Sequence, residues 1–92
     1  MYKLAISTSG EYVSAAIFED KLLASFVSKT NRGSTGILLN QINELFDKTK
    51  ASRKDLSALY LDVGPGYYTG LRIGLSVSQG LGAVLGIPII PV

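Results

Sequence analysis

The run Gly64-Pro65-Gly66-Tyr67-Tyr68-Thr69-Gly70-Leu71-Arg72-Ile73-Gly74 ties an apolar strand to a glycine-dense helix and leaves few folds open. Before it, Ala58-Leu59-Tyr60-Leu61-Asp62-Val63 has the length and apolar content of a buried strand. Pro65 fixes its own φ and disfavours helix at Gly64, while Gly64 and Gly66 can take backbone angles closed to other residues. Thr69 is placed to cap a helix over residues 70–86 by accepting an orphan amide hydrogen of its first turn.

Within that helix small residues recur at every fourth position, at Gly70, Gly74, Ser78, Gly82 and Gly86, with Gly80 in addition. Each interior glycine weakens a helix by about 1 kcal/mol relative to alanine, so Gly74, Gly80 and Gly82 need compensation. Close approach of another element supplies it, because a bare stripe admits a neighbour nearer than the usual helix separation of about 8 to 10 Å. Two neighbours fit: the chain's own first helix or sheet, or a partner protein.

The rest of the chain supplies the remaining layers. Residues 2–7, 12–19 and 22–28 read as three short strands joined by turns at Ser9-Gly10-Glu11 and Glu19-Asp20-Lys21, a meander of two hairpins. From Ser34 or Thr35 to about residue 50, Leu38, Ile42, Leu45 and Phe46 repeat with helical spacing, which predicts an amphipathic helix. A strand over 57–63, the glycine turn, the second helix and a strand beginning at Pro88 complete the order. Three antiparallel strands, helix, strand, helix and strand describe an α/β layer with a mixed sheet, in a single unit spanning 1–92.

Composition removes several kinds of chemistry. The 92 residues include no cysteine and no histidine, which excludes disulfides, a thiol nucleophile, a histidine base and a zinc site of ordinary composition. Nine basic against seven acidic side chains leave a net charge of +2, too small to mark a nucleic-acid protein. No apolar signal segment is visible behind Met1, so the expected compartment is the cytoplasm. Residues 73–92 carry no charge, but Gln79, the serines, the glycines, Pro88 and Pro91 dilute their apolarity, and the segment is assigned to the core and not to a membrane.

The glycine loop fails both phosphate motifs. Leu71 follows Gly70 where a Walker A loop needs lysine, and Thr69 stands where the dinucleotide fingerprint needs its third glycine. Ser7, Thr8 and Gly10 can cup an anion with hydroxyls and amides, against the plainer reading of a polar hairpin turn. Lys48, Lys50, Arg53 and Lys54 form the one basic cluster, read as a solvated helix end or as a contact to nucleic-acid phosphate. Glu11, Glu19, Asp20 and Asp62 form no recognisable catalytic pair. No catalytic residue, metal site or cofactor is assigned.

The glycine run, with Leu4-Ala5-Ile6-Ser7-Thr8 at the start and Lys54-Asp55-Leu56 before the fourth strand, resembles the bacterial TsaB (YeaZ) family along the whole chain. The resemblance implies the first lobe of a ribonuclease-H-like or actin-like fold, with the second lobe typical of the family absent. It implies a non-catalytic scaffold in making threonylcarbamoyladenosine in tRNA, although the family was once described as glycoprotease-like. The implied partners are a TsaD-type catalytic subunit and a TsaE-type ATPase, with a homodimer when alone and a tRNA contact that is indirect or weak. The family's contact surface lies on the two helices, which here implicates Leu38, Gln41 and Ile42 on the first and Gly70, Leu71, Arg72, Gly74, Ser78 and Gly82 on the second. Ser7 stands where the family usually has aspartate, and Ser34 where it has histidine, which counts against a metal or nucleotide role. The rival expectation is a degenerate actin-fold nucleotide-binding enzyme reduced to one lobe.

Overall fold

A computed structural model of the chain describes residues 1–8, 10, 12–29, 34–65 and 68–92, with the backbone alone for 34–37 and 68–70. The elements run β1 (Tyr2–Ser7), β2 (Tyr12–Phe18), β3 (Leu22–Lys29), α1 (Ser34–Thr49), a 3₁₀ turn (Arg53–Asp55), β4 (Leu56–Leu61), α2 (Tyr68–Leu85) and β5 (Ile89–Pro91). They form one sheet in the order β3-β2-β1-β4-β5. β1, β2 and β3 pair antiparallel through their short turns, while β4 joins β1, and β5 joins β4, in parallel. Parallel neighbours need a crossover, and α1 and α2 provide the two crossovers here. The expected mixed α/β layer is the observed one.

Strand register builds one apolar face. Leu4 lies between Ile17 and Leu59, and Ile6 between Ala15 and Leu61, so large side chains stand in rows across the central strands. α1 packs on β2 and β3, α2 on β4, β1 and β5, and the two helices touch each other. The helical repeat Leu38, Ile42, Leu45 and Phe46 seals this layer, each at 3% exposure or less. Each such side chain stabilises the fold by about 1.5 to 3 kcal/mol relative to leaving it in water. On the opposite face of the sheet Tyr60, Ala5, Ala16 and Ser25 stand in one row, and they line a trough of about 270 Å³.

Boundaries differ from the sequence expectation in ways the hydrogen bonds explain. β4 begins at Leu56 and ends at Leu61, yet the Asp62 amide still donates to Ile6 O at 3.0 Å and that of Val63 to Val92 O at 3.3 Å, so the ladder fades over 62–63. α2 begins at Tyr68, which puts Thr69 inside the first turn and not at the cap position; its side chain, like those of Ser34 and Thr35, lies outside the described residues. α2 stops where Gly86 takes φ 66°, a left-handed conformation that lets the Gly86 and Ile87 amides both donate to Gly82 O. No helix among the described residues is long and apolar enough to cross a membrane.

Candidate functional site

Two places carry the sequence-derived candidates: the carboxyl ends of β1 and β4, and the two helices. At the strand ends the Ser7 hydroxyl donates to Asp62 Oδ2 at 2.8 Å, and the Gly64 amide donates to Asp62 Oδ1 at 3.0 Å. Asp62 thus ties the end of β1 to the turn that leads into α2. Thr8, next along the chain, is 2% exposed and lies against Gly74. A Cβ at Gly74 would overlap Thr8 Oγ1 and come within 3.3 Å of Leu61 Cδ1.

This geometry corrects the anion cup expected of Ser7, Thr8 and Gly10. Ser7 points its hydroxyl at a carboxylate, which would repel an anion, and Thr8 is enclosed beneath α2. Gly10 is exposed, with open space where a side chain would stand. By sequence Asp62 has no recognisable partner. Its signal was positional, as the last polar residue between a buried strand and the glycine turn, opposite the end of the first strand. Glu11 lies outside the described residues, and Glu19 pairs at the surface with the amino group of Met1 at 2.6 Å. Among the described residues no group of three or more acidic side chains could hold a metal ion.

The helices sort the interface candidates by face. Gly74, Ser78 and Gly82 point inward: Ser78 is fully buried, and a Cβ at Gly82 would meet Ile87 O and Ile89 side-chain carbons at 3.3 Å. Leu38 and Ile42 belong to the core. These five are therefore corrected from partner-facing to internal residues, since a surface they do not reach cannot be read by a partner. Gln41 and Leu71 are half-buried and Arg72 is exposed, while the surroundings of Gly70 lie outside the described residues.

The outward side of α2 consists of Arg72, Leu75, Ser76, Gln79, Gly80, Ala83 and Val84, all exposed and only Arg72 charged. Arg72 is the sole charged side chain of the helix. Solvated helix faces ordinarily carry several charged residues opposite their apolar stripe, so an outward face with one charge near its start and Val84 at 84% exposure departs from that pattern. On the outer side of α1, Leu39 is 42% exposed. Near the end of α1, Lys48, Lys50 and Lys54 are exposed, while Arg53 lies over the Phe46 ring at 4.8 Å and donates to Asn43 Oδ1. Arg53 is thus engaged by side chains of α1.

The family model described as TsaD, tRNA N6-adenosine threonylcarbamoyltransferase, matches residues 22–92. A protein of Buchnera aphidicola subsp. Acyrthosiphon pisum named "tRNA threonylcarbamoyladenosine biosynthesis protein TsaB" is 35% identical over 97% of this chain and 40% of its own length. The structure of YeaZ from Pseudomonas aeruginosa superposes with a TM-score of 0.90 at 30% identity, over 99% of this chain and 42% of that one. RuvC of T. thermophilus, solved with a Holliday junction substrate, superposes at 0.68 with 13% identity, covering 100% of this chain and 64% of RuvC, and shares the ribonuclease-H-like fold alone. The chain spans 40% of the length of that curated relative.

Proposed function

The chain belongs to the TsaD family, among the proteins named TsaB, and from that premise we propose that it serves tRNA threonylcarbamoyladenosine biosynthesis as a non-catalytic scaffold lobe that receives a TsaD-type catalytic subunit on its helices. The observation that carries the docking part is the exposed outer side of α2 beyond Arg72, uncharged from Leu75 to Val84. Removing that stretch from water loses no charge solvation, and Leu75 and Val84 supply apolar area to bury. The scaffold part is supported by the sequence, which holds no histidine and no cysteine to act as base or nucleophile. A TsaE-type ATPase joins the assembly, the same face pairs two copies when the partner is absent, and tRNA is held chiefly by the other subunits. The working compartment on this reading is the cytoplasm. The single 92-residue unit acts as the first lobe of its family's fold.

The test is light scattering after size exclusion, on the chain alone and mixed with its cognate TsaD-type subunit. The expected result is a homodimer that gives way to a one-to-one complex, with both lost in Leu75→Arg, since an arginine cannot enter a close helix contact without losing hydration. Leu75 is 44% exposed, so the variant should keep its circular dichroism spectrum. A monomer indifferent to the partner would overturn the proposal.

A further inference from the structure

Lys48, Lys50, Arg53 and Lys54 crowd one short stretch, from the last turn of α1 to the 3₁₀ turn before β4. Hydrogen bonds fix its backbone. Thr49 Oγ1 donates to Leu45 O at 2.8 Å and accepts from the Ala51 amide at 3.3 Å, Ser52 Oγ accepts from the Lys54 amide at 3.3 Å, and the Asp55 amide donates to Ser52 O at 2.9 Å. Arg53 is held against the Phe46 ring and Asn43. Lys48, Lys50 and Lys54 are exposed. No ion pair among the described residues holds any of the three, although Glu44, Asp47 and Asp55 stand nearby in the chain.

Lys50 takes φ 59°, in the left-handed region, directly after the last residue of α1. Helices that end in this conformation usually place glycine there, which carries no Cβ penalty, so lysine stands here at a cost to the fold. The field of the helix carbonyl end accounts for Lys48 in the last turn, but it needs no second cation at a strained backbone position. We infer that Lys48, Lys50 and Lys54 are this chain's contact to the phosphate backbone of tRNA. The inference rests on the reading above that the chain serves a tRNA modification. Lysine is a point charge on a flexible stem, which suits phosphates strung along a strand, and the fixed backbone beneath the three limits the ordering that binding costs. The nearby carboxylates and the net charge of +2 keep the contact weak, in line with tRNA held chiefly by the other subunits.

The test is fluorescence anisotropy of labelled tRNA, titrated at several salt concentrations with the chain alone and with the chain mixed with its TsaD-type subunit. Lys48→Gln, Lys50→Gln and Lys54→Gln together should raise the dissociation constant about tenfold and flatten the slope of log affinity against log salt by about 2 to 3. Lys21→Gln with Lys29→Gln, both exposed and elsewhere on the chain, should leave the two readings nearly unchanged. Lys50→Gly separates the contact from folding, because its readouts move in opposite directions. Glycine relieves the left-handed position, so the melting temperature should rise by about 4 °C while tRNA affinity falls. A lowered melting temperature would show that the lysine serves the chain's own fold and overturn its part in the contact. An unchanged constant in the triple variant, or no binding by the unaltered chain in either setting, overturns the contact outright. Equal losses in the control pair overturn it too, by showing that the attraction is diffuse. Lost affinity for the TsaD-type subunit with unchanged tRNA binding would give the lysines to an acidic protein surface and overturn the occupant. Binding of tRNA through these lysines by a chain that ignores the subunit would remove the docking reading and leave this contact standing.

Discussion

The inner and outer sides of α2 use the same small residues for different reasons. Inward, Gly74, Ser78 and Gly82 stand where the chain's own atoms leave no room for more. Outward, Ser76, Gly80 and Ala83 stand in open space. The inner side explains its own composition by packing; on the outer side, nothing within 4 Å of a Cβ at Gly80 requires the position to be bare. A glycine's helix propensity is equal on both sides, so only the surroundings separate a structural glycine from one in open space. Substitutions that add volume should therefore have opposite signs on the two sides.

The largest expected effect is Ser78→Arg. Its site is fully buried, and a guanidinium there would lose its hydration. Leaving such a charge unpaired costs about 3 to 5 kcal/mol, most of the stability of a domain of this size. Urea titration followed by circular dichroism should find no cooperative unfolding transition. A variant that stays folded and loses only association would return Ser78 to the partner face.

Next comes Gly74→Ala, on the inward side. Its Cβ would overlap Thr8 Oγ1, and Thr8 is too enclosed to swing aside. Destabilisation of about 1 to 3 kcal/mol is expected despite alanine's better helix propensity. Thr8→Ala removes the obstructing hydroxyl, so the double variant should recover part of the loss, and a thermodynamic cycle on urea midpoints would measure the coupling. Additive losses would mean that the two groups do not meet.

How much of this was legible in the sequence depends on which interactions each inference needed. Strand and helix positions followed from local periodicity: Leu38, Ile42, Leu45 and Phe46 repeat with the helical period and are the buried side of α1. The mixed character of the sheet followed from the order of elements, whereas the parallel joining of β4 to β1 is known from the structure alone. Facing was harder. Gly74, Ser78 and Gly82 share a stripe in the sequence, but whether a stripe faces in or out depends on the rotation of α2 about its axis, which Thr8, Leu61 and Ile89 set from distant parts of the chain. Family resemblance implicates the two helices, but of the residues it named, Leu38, Ile42, Gly74, Ser78 and Gly82 lie on the packed side while Gln41, Leu71 and Arg72 do not. Asp62 was missed as a tie between elements because its partner Ser7 is 55 residues away, beyond any local pattern.

Ser78→Ala gives the smallest effect and the finest test of the inner side. The Ser78 hydroxyl is buried and finds no hydrogen-bond partner among the described residues. A buried hydroxyl left unpaired loses its hydration without return, and serine is also the poorer helix former. Replacing it with alanine keeps the close fit, removes one oxygen and should raise stability by about 0.5 to 1 kcal/mol. Urea midpoints resolve a shift of that size when the slope is unchanged. A loss of stability would show that the hydroxyl has a partner in the folded chain, and that the stripe is kept small at this position for a hydrogen bond and not for close packing alone.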